Sequence, residues 1–356
     1  MKMKIALLYG GKSAEHEVSL LTAKAIIGAL NRDKFEIYPI YINKEGIWIQ
    51  GEKLGNTIDD VSALVFSQTS DSTSLPALLA GASEQQPIFD IVFPLLHGPN
   101  GEDGTVQGVL ELLNLPYVGN GVFASAAGMD KVMTKRVLSE VGLRQAAYTH
   151  YLRSEWSDHA ESCYVEVEER LGYPCFVKPA NLGSSVGISK CENRAQLIAG
   201  FDEAFRYDRK IVVEEMIRGR EIELGVLGND RPACSVAGEL IIHKDFYDYT
   251  AKYVDGKTEM VIPAPLPDGV YDEMERMAKD AFLALDCAGL IRADFFLSDD
   301  GLVYLNEVNT MPGCTPFSMF PSLWGATGVG YSELIETLVD LGIERHKEKQ
   351  LIKFSY

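Results

Sequence analysis

At 356 residues, 46% hydrophobic and 24% charged, the chain has an ordinary globular composition but exceeds one typical core, so two or three domains are expected. A formal net charge of −18 excludes a broad nucleic-acid surface, which needs clustered Lys and Arg, yet permits a local basic pocket for an anion. Six cysteines without a CxxC pair argue against a zinc site or disulfide framework, and no apolar run is long enough to span a membrane; a soluble cytoplasmic protein is expected.

Residues 4–9 read as a buried strand. Gly10 and Gly11 then turn the chain into a helix with Val18, Leu21, Ala25 and Ala29 on one face. Further strands are expected at 35–42 and 88–94. The interval 51–86 is rich in Ser, Thr, Asp and Gln, and reads as a surface excursion with one small helix at 75–80. Strand, Gly turn, helix, strand is the order of an open parallel α/β sheet, whose ligands sit beyond the strand C-terminal ends. A short strand at 115–118 closes this first domain, 1–123.

A helix over 124–141 opens a second unit, 124–213, with strands at 175–178 and 186–190. A strand at 211–216 leads into a third, 214–356. That unit ends in a helix with Leu334, Ile335, Leu338 and Leu341 spaced as a core face.

Several stretches carry chemistry. Residues 6–13 satisfy a permissive phosphate-loop pattern, but its middle positions are strand residues and its first glycine is Ala6. No GxGxxG follows the strand either, which argues against a dinucleotide fold. Glu15 sits where the first helix begins, either as a dipole-stabilising acid or as an ammonium binder at the ligand end of the sheet. The loop HGPNGEDG, from His97 to Gly104, lies at the same end and is longer than a simple connection needs. In FVKPANLGSSVGI, Lys178 ends a strand and Gly183-Ser184-Ser185-Val186-Gly187 precedes the next. Glycines let backbone approach an anion, hydroxyls donate and the lysine adds charge, so the stretch reads as a phosphate clamp on a hairpin, or else as an ordinary Gly-rich hairpin. Glu214, Glu215 and Glu221 cluster at a strand end between two expected domains. Residues 243–256, with three Tyr and two Lys, make sense as a lid over a polar site.

The densest stretch runs from Arg292 to Gly313. Two apolar runs, 292–297 and 302–308, flank the turn sequence Ser298-Asp299-Asp300-Gly301, which predicts a β-hairpin. A turn centred on Asp299 and Asp300 puts Arg292 opposite Glu307, and Asp294 opposite Leu305. Side-chain alternation then gathers Arg292, Asp294, Glu307 and Asn309 on one face. Hard oxygen ligands there suit Mg²⁺; a solvated, charged sheet face is the other reading.

Together these motifs resemble the D-alanine–D-alanine ligases of the ATP-grasp group. The resemblance is carried in order by GGKSAEHEVSL, HGPNGEDGTVQG, MDKVMTK, FVKPANLGSSVGISK, VVEEMIRGREIELGVL, YDYTAKY and IRADFF…LNEVNTMPGCTPFSMFP, nearly to Trp324. It implies a three-domain architecture with ATP between the central and C-terminal domains. Lys131 and Lys178 would meet the α- and β-phosphates, Ser184 and Ser185 the covering loop, and Lys252 the γ-phosphate. Backbone around Glu214, Glu215 and Ile217 would hold adenine, and Glu221 the ribose. Asp294, Glu307 and Asn309 would bind two Mg²⁺ (or Mn²⁺) ions. Glu15, assisted by His97, would hold the ammonium of the first D-alanine, and Ser318 and Met319 would surround the second. Arg292 and the Gly313 N–H would form the oxyanion site, while Glu15, Ser184 and Tyr253 would latch the lid. The family also implies a homodimer. Relatives that use D-lactate or D-serine differ around the second subsite and lid, and YDYTAKY is the form associated with D-alanine. The chain departs from the family at Cys314-Thr315, where a larger apolar residue often follows the glycine.

Overall fold

The run Met3–Gly10 is apolar at almost every position because strand β1, which it forms, is covered on both faces. Ile5, Leu7 and Tyr9 pack with helix α1 (His16–Ala29), while Ala6 and Leu8 join Val106 and Leu110 on the opposite side. The computed structural model describes residues 2–13, 15–55, 57–67, 89–242 and 258–353. Strand β2 (Phe35–Ile42) runs parallel to β1, β3 (Trp48–Gln50) adds an antiparallel edge, and β4 (Ile91–Pro94) pairs parallel with β1 on its other side.

Two expectations need correction here. On α1 the buried apolar side chains are Leu20, Ala23, Ile26, Ile27 and Ala29; Val18 and Leu21 instead line a cleft, with Leu21 53% exposed. Turning the bulkier Ile26–Ile27 pair onto the sheet removes more apolar surface from water. The described part of the 51–86 segment is also more than a surface excursion. Its 3₁₀ turn (Val61–Leu64) buries Leu64 fully, and the Leu64 carbonyl accepts a 3.0 Å bond from the Tyr9 hydroxyl. The helix expected at 75–80 lies outside the described residues. Helix α2 (Thr105–Leu112) follows the 97–104 loop.

The single helix expected over 124–141 is two, α3 (Val122–Met129) and α4 (Lys131–Glu140). Asp130 divides them: its backbone is extended, and its carboxylate accepts from the N–H groups of Val132 at 3.1 Å and Met133 at 3.2 Å. A well-placed N-cap starts a new helix where periodicity alone would continue the old one.

The second sheet comprises β5 (Tyr148–Leu152), β6 (Cys175–Pro179), β7 (Ser189–Cys191) and β8 (Lys210–Glu215), antiparallel in the order β5-β8-β6-β7. Helices α5 (Arg153–Arg170) and α6 (Arg194–Tyr207) cover one face through Val167, Leu197, Phe201 and Phe205. Strand β7 starts three residues later than expected, because Ser184 and Ser185 take left-handed backbone and keep the chain in a loop.

The third sheet is fully antiparallel, in the order β11-β10-β9-β12-β13, built from β9 (Gly219–Gly228), β10 (Ala233–Ile242), β11 (Thr258–Val261), β12 (Gly289–Ser298) and β13 (Val303–Asn309). Helix α7 (Val270–Ala284) buries Met274, Met277, Ala281 and Phe282 against it. Helix α8 (Met319–Thr327) presses on its other side. Helix α9 (Tyr331–Lys349) buries Leu334, Ile335, Leu338 and Val339, whereas Leu341 is only partly covered. Those side chains share a core with Ile5 and Leu7, so the last helix packs on the first sheet. Among the described residues no helix is long and apolar enough to cross a membrane.

Leu338 is fully buried at this junction. Leu338→Ala is expected to cost about 2–5 kcal/mol of stability through the cavity it leaves. Denaturant unfolding that stays within about 0.5 kcal/mol of the parent would contradict that packing.

Candidate active site

A cleft of about 760 Å³ opens where the three sheets meet, lined from α1, the 97–102 loop, the 183–188 loop, the end of β8, strands β9, β12 and β13, and the 311–319 segment. Its floor is the hairpin β12–β13. Gly301 stands at φ 82°, a left-handed turn position, and its N–H donates to Ser298 O at 2.9 Å. The register is Arg292↔Asn309 and Asp294↔Glu307, then Phe295↔Leu305 after a bulge that leaves Asn306 without a partner. This corrects the expected pairing of Arg292 with Glu307 and of Asp294 with Leu305. The register moved by two residues ahead of the bulge, which preserves side-chain facing, so all four polar residues still share the cleft side. The bulge sends Leu305 into the core and turns Glu307 towards the cleft beside Asp294.

The Arg292 guanidinium donates to both Asp294 oxygens at 2.7 Å and lies 2.8 Å from a Glu223 oxygen, and Asn309 Nδ2 donates to Asp294 at 3.0 Å. Burial disfavours the Arg292 charge, but Asp294 and Glu223 outweigh it and hold its pKa well above the ordinary value. Sequence reading missed Glu223. Its signal was present: Glu221-x-Glu223 alternates in an otherwise apolar strand, which places both acids on one face.

A second charge cluster stands behind the phosphate clamp. Lys178, at the end of β6, lies 2.5 Å from Glu214, whose other oxygen lies 2.8 Å from Lys135. Desolvation pushes the Glu214 pKa up, yet the two ammoniums prevail and hold it far below the usual carboxylate range. For Lys178 burial lowers the pKa, and the Glu214 charge more than reverses it. Lys135 was also missed, although Lys131 and Lys135 in MDKVMTK are four apart on one helix face. Lys131 does not line the cleft; its ammonium donates to Leu182 O at 2.8 Å and stands 3.7 Å from Glu307. Glu215 accepts from the Ala147 N–H at 2.7 Å, while Ile217 and Glu221 line the cleft.

At the mouth, Ser184 Oγ donates to the Glu15 carboxylate, joining the clamp loop to the first residues of α1. Ser184 and Ser185 hold φ of 53° and 56°, strain of order 1 kcal/mol each that the loop must offset. Gly98, at φ 74°, approaches so closely that a Cβ would stand 3.0 Å from a Glu15 oxygen. His97 is buried, with Nδ1 3.1 Å from Glu102 Oε1 and Nε2 3.3 Å from Thr22 Oγ1. Burial raises the Glu102 pKa despite His97. Opposite, Gly313, Ser318 and Met319 line the cleft. Cys314 is buried, its thiol pushed up to about 12, and its carbonyl accepts from Tyr331 at 2.7 Å. Lys252, Tyr253 and the lid expected at 243–256 lie outside the described residues.

For a metal ion, the hairpin offers Asp294, Glu307 and Asn309, an all-oxygen set; among the described residues no group of three His, Cys, Asp or Glu forms a metal cage. Two carboxylates and an amide are too few for calcium, but fit magnesium, which completes its shell with phosphate oxygens and water.

The description D-ala D-ala ligase N-terminus matches residues 4–120, and D-ala D-ala ligase C-terminus matches residues 137–340. A D-alanine–D-alanine ligase of Bacillus cytotoxicus is 60% identical over 99% of this chain and 99% of its own. The chain belongs to the D-alanine–D-alanine ligase family. The family fold extends to solved structures: the ligase of Coxiella burnetii has a TM-score of 0.80 at 34% identity, covering 98% of this chain and 96% of its own. The VanG D-Ala:D-Ser ligase of Enterococcus faecalis has a TM-score of 0.84 at 33% identity, covering 96% of this chain and 100% of its own.

The Glu214 cluster implies a pH signature. Because its folded pKa is depressed, Glu214 contributes stability that is full above the unfolded carboxylate value of about 4.3 and fades as pH falls towards the folded one. Glu214→Gln should therefore be destabilised by about 3–5 kcal/mol at pH 7, since it leaves buried ammoniums without their counter-charge. The gap to the parent should narrow below about pH 4. A pH-independent gap in denaturant melts would contradict this assignment.

Proposed function

We propose that the chain joins two D-alanine molecules into D-alanyl-D-alanine with ATP, through a D-alanyl phosphate. The observation that carries the reading is the convergence in one cleft of an anion-binding side, Lys178 and the 183–188 loop, with an acidic mouth, Glu15 beside His97. The 60% identity to a relative of that activity over 99% of the chain supports D-alanine as the second substrate, rather than D-serine or D-lactate. Three separate sheets support units divided near residues 123 and 213, with α3 and α4 packed into the core of the third sheet and α9 onto the first.

A carboxylate is a poor electrophile, so the first D-alanine must be activated. Its carboxylate oxygen attacks the γ-phosphorus of ATP, the bond to ADP breaks, and an acyl phosphate forms. This step asks chiefly for position and for positive charge spread over the moving oxygens. Lys178, and Lys131 through its loop contact, supply charge along the phosphates. Ser184 and Ser185 close over them, backbone at 214–217 holds adenine, and Glu221 takes the ribose hydroxyls. Glu15, assisted by His97, holds the ammonium of the first D-alanine. Magnesium, held by Asp294, Glu307 and Asn309, would neutralise charge on the transferring phosphoryl oxygens.

The amine of the second D-alanine, seated against Ser318 and Met319, then attacks the acyl carbon. The carbonyl π electrons move to oxygen, phosphate departs as the carbonyl re-forms, and the attacking nitrogen passes its proton to the departing phosphate. Arg292 and the Gly313 N–H donate to the transient oxyanion; loss of one such donor typically costs ~100- to 1,000-fold in turnover. Lys252 at the γ-phosphate and Tyr253 in the lid complete the reading from family resemblance.

With ATP, Mg²⁺ and D-alanine, phosphate release should equal dipeptide formation mole for mole, and D-serine or D-lactate should serve poorly as second substrate. ATP turnover indifferent to D-alanine would sink the reading. Glu307→Gln should raise the Mg²⁺ needed for half-maximal rate and lower kcat by ~100-fold or more, as loss of a charge-organising group does elsewhere. Near-parental turnover at low Mg²⁺ would remove Glu307 from the metal set.

A further inference from the structure

The pair Lys178–Glu214 poses a problem for phosphate binding. Lys178 faces the cleft, yet a full carboxylate sits 2.5 Å from its ammonium. Taken as a pair they are neutral, and a neutral pair attracts phosphate weakly. The third member alters the sum. Lys135 is 2% exposed, does not line the cleft, and places its ammonium 2.8 Å from the other Glu214 oxygen, with the Tyr148 ring 5.4 Å away. Two ammoniums sharing one carboxylate leave a net charge of +1, and only Lys178 and Glu214 of the three border the cleft.

We infer that Lys135 is a positioning residue for ATP: by occupying half of Glu214 from behind, it leaves the Lys178 charge available to the phosphates. The inference rests on the proposed reading of Lys178 as a phosphate ligand and extends it to a residue that touches no substrate. A purely structural buried ion pair gives a different expectation. It would lower stability when broken, and would weaken adenosine and ATP alike through the backbone at 214–217. Charge balance instead acts on the phosphates alone and depends on the sum of the trio, whichever member is changed.

The test measures equilibrium binding of ATP and of adenosine, without D-alanine, to the full chain and to Lys178→Met, Lys135→Met, Lys135→Arg and the double variant Lys135→Met with Glu214→Gln. Lys135→Met removes one charge from the trio, and is expected to weaken ATP about tenfold while leaving adenosine within about twofold. Lys135→Arg keeps the charge and should bind ATP within about threefold of the parent. The double variant restores the sum to +1 and should recover most of the loss. If Lys135→Met is too unstable to assay, Glu214→Gln and the double variant carry the test: the first, at +2, should bind ATP about tenfold more tightly than the second. Equal ATP affinity in that pair, no recovery in the double variant, or parallel losses of adenosine and ATP would overturn the inference. Failure of the underlying reading is separable, because Lys178→Met would then leave ATP binding unchanged.

Discussion

Cations gathered in a low-dielectric cleft need counter-charge nearby, from a carboxylate or from an arriving anion, and this requirement organises much of the molecule. Lys178 and Lys135 share Glu214, Arg292 is held by Asp294 and Glu223, and Lys131 stands near Glu307. Each acid comes from a strand, Lys178 from a strand end, and Lys131 and Lys135 from successive turns of α4, so the approach of Lys131 to Glu307 ties α4 to the third sheet. An acidic protein is a natural host for such a site. The surplus of carboxylates over the chain supplies local counter-charges, and the cleft then concentrates the positive remainder where an anion arrives.

Rigid elements surround a strained one. Beneath the cleft lie β12 and β13, whose facing is set by a bulge, and behind it lies the buried lysine pair. Over it reaches the 183–188 loop, with two serines in left-handed backbone and one of them bonded to Glu15 at the head of α1. Strain held in a loop and offset by contact with another unit makes loop conformation sensitive to what occupies the mouth. That arrangement suits chemistry whose acyl phosphate must be shielded from water.

Much of this was legible in the residues. Period-two alternation placed Arg292, Asp294, Glu307 and Asn309 on one face, and it survived a wrong register because an even shift leaves facing unchanged. The bulge at Asn306 was not legible, since nothing in Leu-Asn-Glu announces an extra residue. Asp130 broke a helix that periodicity would have run through; its capping role depends on a backbone angle that composition does not reveal. Glu223 and Lys135 were passed over for a different reason. Each looks like an ordinary charge until the partner from another sheet or helix is known, and both partners are distant in sequence. Which face of α1 is buried was likewise decided by tertiary packing, because apolar residues occur on two sides and one side was needed for the cleft.

The packing of α9 on the first sheet bears on how the chain is made. Ile5 and Leu7 leave a ribosome long before their cover, Leu334, Ile335, Leu338 and Val339. The first sheet therefore cannot complete its core until α9 has been made, even though its described strands are all present by Pro94. Nascent chains must carry that half-covered apolar face past the whole of the second and third sheets, which exposes it to premature association. Closure of the first sheet therefore waits for α9, and with it the frame that holds the mouth of the cleft.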